Sequence, residues 1–301
     1  MTIQITGSSG FVGQNLQKYL SDRHDEVKGL SLRNMNWRNH MDEDVIVNLV
    51  GKAHDHNETA TEQDYYNVNV ELVKEIFQAF LGSSATLLIH ISSLAAVEEF
   101  KATEPLTESN DCRPVSLYGK SKREAEEWLM KQELPEHKKL IILRPPMIHG
   151  PGDKGNLGLL YKLISKGIPY PLASFDNQRS FISIDNFCYF IEQIIQRRDN
   201  LASGIYHVAD NEWISTKQII GIIKEVTNKK VPDLSLPKFL VKGIAKVGDF
   251  VPIPLNTKRL KKMTSDLLVS NTKIKQALAI ERLPLTAKEG LEKTIRSLSD
   301  E

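Results

Sequence analysis

Tyr118-Gly119-Lys120-Ser121-Lys122 sets a phenol and an ammonium four residues apart, at the start of a run from Arg123 to Leu129 that reads as helix. On a helix that spacing puts both side chains on one face as near neighbours. An ammonium beside a phenol favours the phenolate, so the pair is expected to lower the Tyr118 pKa and to trade a proton near neutral pH. The same spacing is common on solvated helix faces, and its meaning depends on what the rest of the chain places beside it.

Two other stretches bear on that question. Thr2-Ile3-Gln4-Ile5-Thr6 reads as a short strand, Gly7-Ser8-Ser9-Gly10-Phe11-Val12-Gly13 follows at once, and Asn15 to Leu20 has a helical pattern. Strand, glycine turn and helix in that order is the context of a dinucleotide-binding loop. Gly7 permits the tight turn, Gly10 lets the backbone approach a pyrophosphate, and Gly13 lets the helix pack closely on the strand. Free N–H groups and the positive dipole at the helix start, where Phe11 and Val12 stand, suit phosphates. Further on, the apolar run Thr86 to Ile91 suits a buried parallel strand and ends in Ser92-Ser93. Hydroxyls at the carboxyl end of such a strand open into the crevice where ligands of open α/β sheets bind. Ser93 is then the candidate that hydrogen-bonds a substrate oxygen while Tyr118 moves the proton.

With these motifs the chain resembles the extended short-chain dehydrogenase/reductase family, over nearly its whole length, and within it the enzymes that epimerise, dehydrate or reduce nucleotide sugars. The resemblance implies that Gly7, Gly10, Phe11, Val12 and Gly13 hold the cofactor and that Ser93, Tyr118 and Lys122 form the catalytic triad, with Ser92 the fallback for Ser93 and a substrate contact. It implies that Asn67, in Tyr65-Tyr66-Asn67-Val68-Asn69-Val70, is the helix asparagine that supports the site. Arg144-Pro145-Pro146-Met147-Ile148-His149-Gly150-Pro151-Gly152 is similar to the family's Arg-Pro…Tyr-Gly-Pro-Gly segment, with Pro145 at the cofactor and His149 where a Tyr is usual. Gln178 to Asn186 is similar to the segment whose arginine, here Arg179, grips a nucleotide diphosphate; Asn156 is a further contact to it, and His54 borders the active site.

The implied fold is α/β: a doubly wound (Rossmann) parallel sheet with a smaller substrate-binding lobe. Strands are expected at Ile3–Thr6, Val27–Leu32, Val45–Val50, Leu87–Ile91, Leu140–Arg144 and Gly204–Val208, with helices near Gln14–Leu20, Tyr66–Phe80 and Lys122–Met130. Residues 1–150 form the dinucleotide-binding core, and 151–301, richer in Pro and loops, a lobe interleaved with the last core strands. Only a dozen residues separate Leu32 from Asp44, where this fold fits another helix and strand. Either Trp37 marks a stunted strand or the sheet loses one element there, and no equivalent of the Asp that relatives often use at the adenine is present.

Composition agrees with an enzyme of this kind. The chain has 301 residues, 41% hydrophobic and 26% charged, with net charge +1, so no basic field recruits nucleic acid. Cys112 and Cys188 stand far apart without a Cys-x-x-Cys, which favours a reducing compartment and gives no zinc site; His54-Asp55-His56 lacks further spaced ligands and no metal is expected. A strand predicted from residue 2 leaves no signal peptide, and no apolar run approaches membrane-spanning length, so a cytoplasmic location is expected. The stretch Phe239 to Val247 is amphipathic and basic; it reads as a packed helix of the lobe, with membrane-surface contact as the alternative. A homodimer through the helices after Asn67 and Tyr118 is implied by the resemblance.

The cofactor can be argued from Gly29-Leu30-Ser31-Leu32-Arg33. An acid at the end of the second strand would bind the ribose hydroxyls of NAD; Ser31 and Arg33 instead suit a 2′-phosphate, so NADP(H) is expected, with NAD(H) the alternative. The stretch from Gly150 to Asn186 is similar to that of bacterial enzymes acting on UDP-N-acetyl-hexosamines, and this resemblance implies hydride movement between nicotinamide and a sugar C4, as a 4-keto reductase on a UDP-(6-deoxy)-N-acetyl-hexosamine or as a UDP-sugar 4-epimerase. Dehydratases of the family carry Asp-Glu after the catalytic hydroxyl, where this chain has Leu94-Ala95. A non-catalytic dinucleotide-binding protein is the remaining alternative, although the catalytic groups are retained.

Overall fold

The computed structural model describes residues 1–23, 26–34, 36–53, 59–153, 155–169, 175–232, 236–251 and 256–299. In chain order the first half runs β1 (Thr2–Thr6), α1 (Phe11–Ser21), β2 (Glu26–Leu30), β3 (Val45–Asn48), α2 (Glu62–Tyr66), α3 (Leu72–Gly82), β4 (Leu87–Ile91), β5 (Ala102–Leu106), α4 (Leu117–Leu129) and β6 (Lys139–Arg144). The second half runs β7 (Met147–His149), α5 (Asn156–Ser165), β8 (Phe181–Ser183), α6 (Ile184–Gln196), β9 (Gly204–His207), α7 (Thr216–Thr227), α8 (Lys238–Val247), α9 (Thr257–Thr264), β10 (Leu267–Val269), α10 (Thr272–Ala277) and α11 (Ala287–Ser297).

Six strands pair in parallel in the order β2-β1-β3-β4-β6-β9, with helices on both faces. The central strands are apolar at successive positions (Val45-Ile46-Val47, Leu87-Leu88-Ile89) and buried throughout, because helices cover both faces of a doubly wound sheet. Order reverses between β1 and β3, so the ligand crevice of this topology opens at the carboxyl ends of those strands. Among the described residues no strand and no α-helix lies between β2 and β3, where this fold usually fits one of each. Trp37 is not a stunted strand but begins a single 3₁₀ turn, Trp37–His40, and its ring is buried among Met41, Ile46, Val73, Phe77 and Phe80. One large side chain thereby fills space on a face that a helix would otherwise cover, and β2 is left as an edge strand, blunted by Lys28 between Glu26 and Glu43.

Two small parallel pairings lie outside the sheet. β7 runs beside β8, and β10 runs beside β5, which brings the segment before α4 against residues 267–269. A second apolar cluster joins α5, α7, α8, α9 and α11 through Leu157, Ile164, Ile220, Val241, Leu260 and Leu291. The capping boxes Ser215/Gln218 and Thr286/Glu289 start α7 and α11.

Beneath the crevice lies a buried ion pair. Arg144, at the end of β6, donates from Nε to Glu126 Oε1 at 2.8 Å and from Nη2 to Oε2 at 2.6 Å. Ser92 Oγ donates to the same carboxylate at 2.5 Å. Both charged side chains are inaccessible to solvent, so three elements, β4, α4 and β6, are joined by one group that cannot be re-solvated in place. Glu126→Ala should therefore cost about 3–5 kcal/mol of unfolding free energy, measured by urea unfolding. A loss of under about 1 kcal/mol, the worth of a surface pair, would mean that Arg144 finds water without Glu126.

Candidate active site

The glycine loop is built for close backbone approach. Gly7 has φ +72°, and a Cβ there would lie 3.1–3.3 Å from the backbone of Leu49 and Val50, at the end of β3. A Cβ on Gly13 would meet the Gly7 carbonyl at 2.3 Å, so only glycine lets α1 start this close to the turn. No side chain caps α1, which leaves its first N–H groups to a ligand. Phe11 and Val12 are half-buried against the core, and Asn15 Nδ2 donates to the carbonyls of Phe11 and Pro151, tying the loop to the turn after β7. These features fit the diphosphate of a dinucleotide.

Ser93 leaves β4 in extended conformation and faces the crevice, its Oγ accepting from the Ala95 amide. α4 begins beside it. Ser116 caps the helix by accepting from the Gly119 amide, and a Cβ on Gly119 would meet the Ala95 carbonyl at 2.4 Å. Glycine at 119 thus lets the first turn of α4 close onto the 94–96 turn and brings the Tyr118 phenol to Ser93, whose hydrogen bond draws the phenol pKa down. Burial outweighs that bond, and Glu99 and Tyr65 add to it, so the phenol sits above its ordinary value and holds its proton. This corrects the expectation that Lys122 lowers the Tyr118 pKa. The Lys122 ammonium is instead buried at the end of β4, donating to the Ile91 carbonyl at 2.9 Å, and burial pulls its own pKa down to about 8 against the attraction of Glu126.

Other assignments shift by one or two positions. Ser92 does not face the crevice; it is buried on Glu126 and is a packing group rather than a substrate contact. Asn67 is exposed and pairs with Gln63. Asn69 occupies the supporting place: fully buried, it accepts from the Lys52 amide at 2.8 Å and donates to the Lys52 carbonyl at 3.0 Å and to Ser121 Oγ at 2.9 Å. Ser121 in turn donates to the Tyr118 carbonyl, so Asn69 holds α4 and the loop after β3 together. A π turn over Asn67–Glu71 breaks the helical phase there. The pair Asn-Val occurs twice in Asn67-Val68-Asn69-Val70, which was the one signal for the second reading.

Sequence reasoning also missed Glu99 and His90. Glu99 is buried, takes the Ser116 hydroxyl on Oε1, and its Oε2 has no partner among the described residues. Asn48 Oδ1 accepts from Thr6 and from the Val50 amide, so its Nδ2 donates to His90 Nδ1 at 3.0 Å. His90 is accordingly neutral, its pKa pushed down by burial and by Lys122. No spacing pattern marks either residue.

Of the lobe candidates, Arg179 is half-buried between Ile214 and Leu267 and donates to the Ser265 carbonyl at 3.1 Å; burial draws it down to about 10, partly offset by Asp266. Asn156 opens α5, and its side chain, like all of His54, lies outside the described residues. Pro145 is buried behind the crevice, its carbonyl accepting from the Leu94 amide. His149 is fully buried: the Thr294 hydroxyl donates to the Gly290 carbonyl, so His149 Nδ1 carries the proton shared with Thr294 at 2.9 Å, and burial lowers its pKa to about 4. Ser31 and Arg33 are exposed just after β2. Among the described residues no cluster of His, Cys, Asp or Glu could hold a metal, and no helix is long and apolar enough to cross a membrane.

The depressed Lys122 pKa has a thermodynamic consequence. Below about pH 8 the ammonium is charged in both folded and unfolded chains, and folding bears its full burial cost; between about 8 and the ordinary 10.5 only the folded chain sheds the proton, so stability rises with pH. Lys122→Met should stabilise the ligand-free protein by up to roughly 3 kcal/mol at pH 7, with the gap to wild type closing as the pH passes 10. Parallel stability curves for the two proteins would refute the burial cost.

The model of the NAD dependent epimerase/dehydratase family matches residues 3–209. The chain is 27% identical to a UDP-glucose 4-epimerase of Vibrio cholerae, over 98% of this chain and 95% of that protein. It is 26% identical to the N-acetyl-alpha-D-glucosaminyl-diphospho-ditrans,octacis-undecaprenol 4-epimerase of Escherichia coli O157:H7, over 78% and 75% of the two chains. Among solved structures, the UDP-glucuronic acid 4-epimerase from Bacillus cereus, in complex with UDP-glucuronic acid and NAD, superposes with a TM-score of 0.80 over 100% of this chain and 99% of that one, at 17% identity, a likeness of fold. The chain belongs to the NAD dependent epimerase/dehydratase family and is an enzyme of the extended short-chain dehydrogenase/reductase type.

Proposed function

We propose that this enzyme reduces the C4 ketone of a UDP-linked 4-keto-6-deoxy-N-acetyl-hexosamine, with NADPH preferred over NADH. The observation that carries the reading is geometric: the first turn of α4 closes onto the 94–96 turn and brings Tyr118 to Ser93, and Lys122 is buried one turn further on, donating to the Ile91 carbonyl. A nicotinamide cofactor bound along Gly7–Gly13 supplies the hydride. Ser93 and Tyr118 hold the C4 oxygen, and Tyr118 donates the proton that the forming alkoxide requires. Lys122 would hold the nicotinamide ribose, and Asn69, through Ser121 and the Tyr118 carbonyl, keeps the phenol in place. Arg179, half-buried and without an acid within ion-pair distance among the described residues, would take a diphosphate bidentately, with Asn156 a second contact from the lobe. Residues 1–150 serve the cofactor and 151–301 the substrate, in a homodimer through α3 and α4.

Ser31 and Arg33 after β2, in place of an acid, support the choice of NADPH. The second reading is a 4-epimerase with retained NAD, favoured by the names of the relatives in Vibrio cholerae and Bacillus cereus. The lipid-diphosphate sugar named for the Escherichia coli relative would present Arg179 with the same diphosphate.

Two measurements decide between these readings. Tyr118→Phe should reduce turnover of a UDP-4-keto-6-deoxy-N-acetyl-hexosamine by about 10²–10⁴-fold while NADPH still binds; turnover kept within about tenfold would remove Tyr118 from the proton transfer. Purified protein should be free of nucleotide and bind NADPH more tightly than NADH, with Arg33→Ala erasing the difference. NAD released only on denaturation would establish the epimerase instead.

A further inference from the structure

Among the described residues fourteen large apolar side chains are exposed, and six of them fall between Phe239 and Val251. α8 explains how this arises. Val241 and Ala245, four residues apart, are buried against the lobe core. Phe239, Leu240, Ile244 and Val247 lie on the far side of the same helix and are exposed, and Phe250 and Val251 continue that face past its end. Phe239 is 72% and Phe250 91% exposed, so these rings protrude instead of lining a groove. A helix apolar on both faces is normally covered on both.

Lys238, Lys242 and Lys246, spaced by four, form a stripe along one edge of the exposed apolar face. All three are exposed, and neither Lys242 nor Lys246 has an acidic partner among the described residues. α9 packs beside α8 and continues the charge: residues 238–262 carry seven Lys or Arg against the single Asp249, on a chain whose net charge is only +1. The segment that bears the protruding apolar side chains is thus strongly basic in sequence, and the remainder of the chain is net acidic.

We propose that α8 and the turn after it dock the lobe on an anionic membrane surface, with Phe239, Ile244, Val247 and Phe250 entering the headgroup–acyl boundary and the lysine stripe meeting lipid phosphates. Protruding apolar side chains bordered by lysines are what a bilayer interface accepts, because long lysine stems reach outward to headgroups while the apolar face descends. A second copy of this chain is a poorer occupant: a symmetric contact brings the same surface to itself and sets the exposed lysines of α8 against one another. The docking is independent of which sugar the crevice takes and of the direction of reaction.

Flotation of the whole protein with vesicles tests it. Vesicles of equal parts phosphatidylcholine and phosphatidylglycerol should carry the protein at low salt and release it at high salt, and pure phosphatidylcholine should not carry it. Phe250→Ser and the double change Lys242→Glu/Lys246→Glu should each lower the bound fraction by roughly tenfold or more, with thermal unfolding and NADPH binding unchanged, since none of these side chains belongs to the core or the crevice. Equal binding to both vesicle types, binding to neither, or flotation untouched by both variants would overturn the proposal. So would a dimer in solution that Phe250→Ser dissolves, which would assign the face to a second copy.

Discussion

The buried pairing of Glu126 with Arg144 is the constraint on which the rest of the site depends. A carboxylate and a guanidinium without access to water tolerate almost no displacement, since either group left alone would be an unsolvated charge. The pair therefore fixes the inner face of α4 against β6, and Ser92, donating to the same carboxylate, fixes the end of β4. Once Ser92 is held inward, Ser93 must point the other way, into the crevice, because successive residues of extended chain face opposite sides. Tyr118 and Lys122 stand on the same helix as Glu126, one turn or two before it. The position of the catalytic candidates is thus set from behind, by the bonds that Ser92 and Arg144 make to Glu126.

Burial displaces several of the candidate groups toward their neutral forms. Lys122 is drawn down to about 8 and Arg179 to about 10, His90 lies well below its ordinary value, and Tyr118 lies above its own. Each shift records solvent removed without a full countercharge supplied. Such sites are costly in the ligand-free protein, and a ligand that brings phosphates or a polar ribose recovers part of that cost. The glycine turn makes the same trade: its uncapped helix start and positive φ at Gly7 have value only when something occupies the space they leave.

Much of this was legible in the sequence because it follows from periodicity and spacing. The apolar runs that became β1, β3, β4 and β6, the glycine spacing, and the four-residue step from Tyr118 to Lys122 each express a local rule. What was not legible depended on tertiary context. Asn67 and Asn69 carry the same side chain two residues apart, and only the π turn decides which one is buried. Ser92 and Ser93 differ only in which faces Glu126, 34 residues away in sequence. The sign of the Tyr118 shift required knowing that Lys122 turns to the Ile91 carbonyl and that Glu99, carried by an irregular segment, lies close to the phenol. The pairing of β5 with β10 joins residues more than 160 positions apart through short segments with no strong alternation.

The shortened sheet bears on the reaction. In a doubly wound fold the strand and helix after β2 widen the edge that flanks the outer half of a dinucleotide. Here a 3₁₀ turn anchored by Trp37 replaces them, β2 is the edge, and Ser31 and Arg33 are exposed at its end. Were the cofactor held there by Arg33, as proposed, its hold would rest on an exposed guanidinium whose charge water and salt screen, and would be looser than one made by an acid and a covering helix. An epimerase that returns each hydride to the same sugar gains from never releasing its cofactor, whereas a reductase must exchange it at every turnover. An edge this thin would leave the proposed reductase an exchangeable cofactor, for the same reason that it would weaken any permanent hold on NAD.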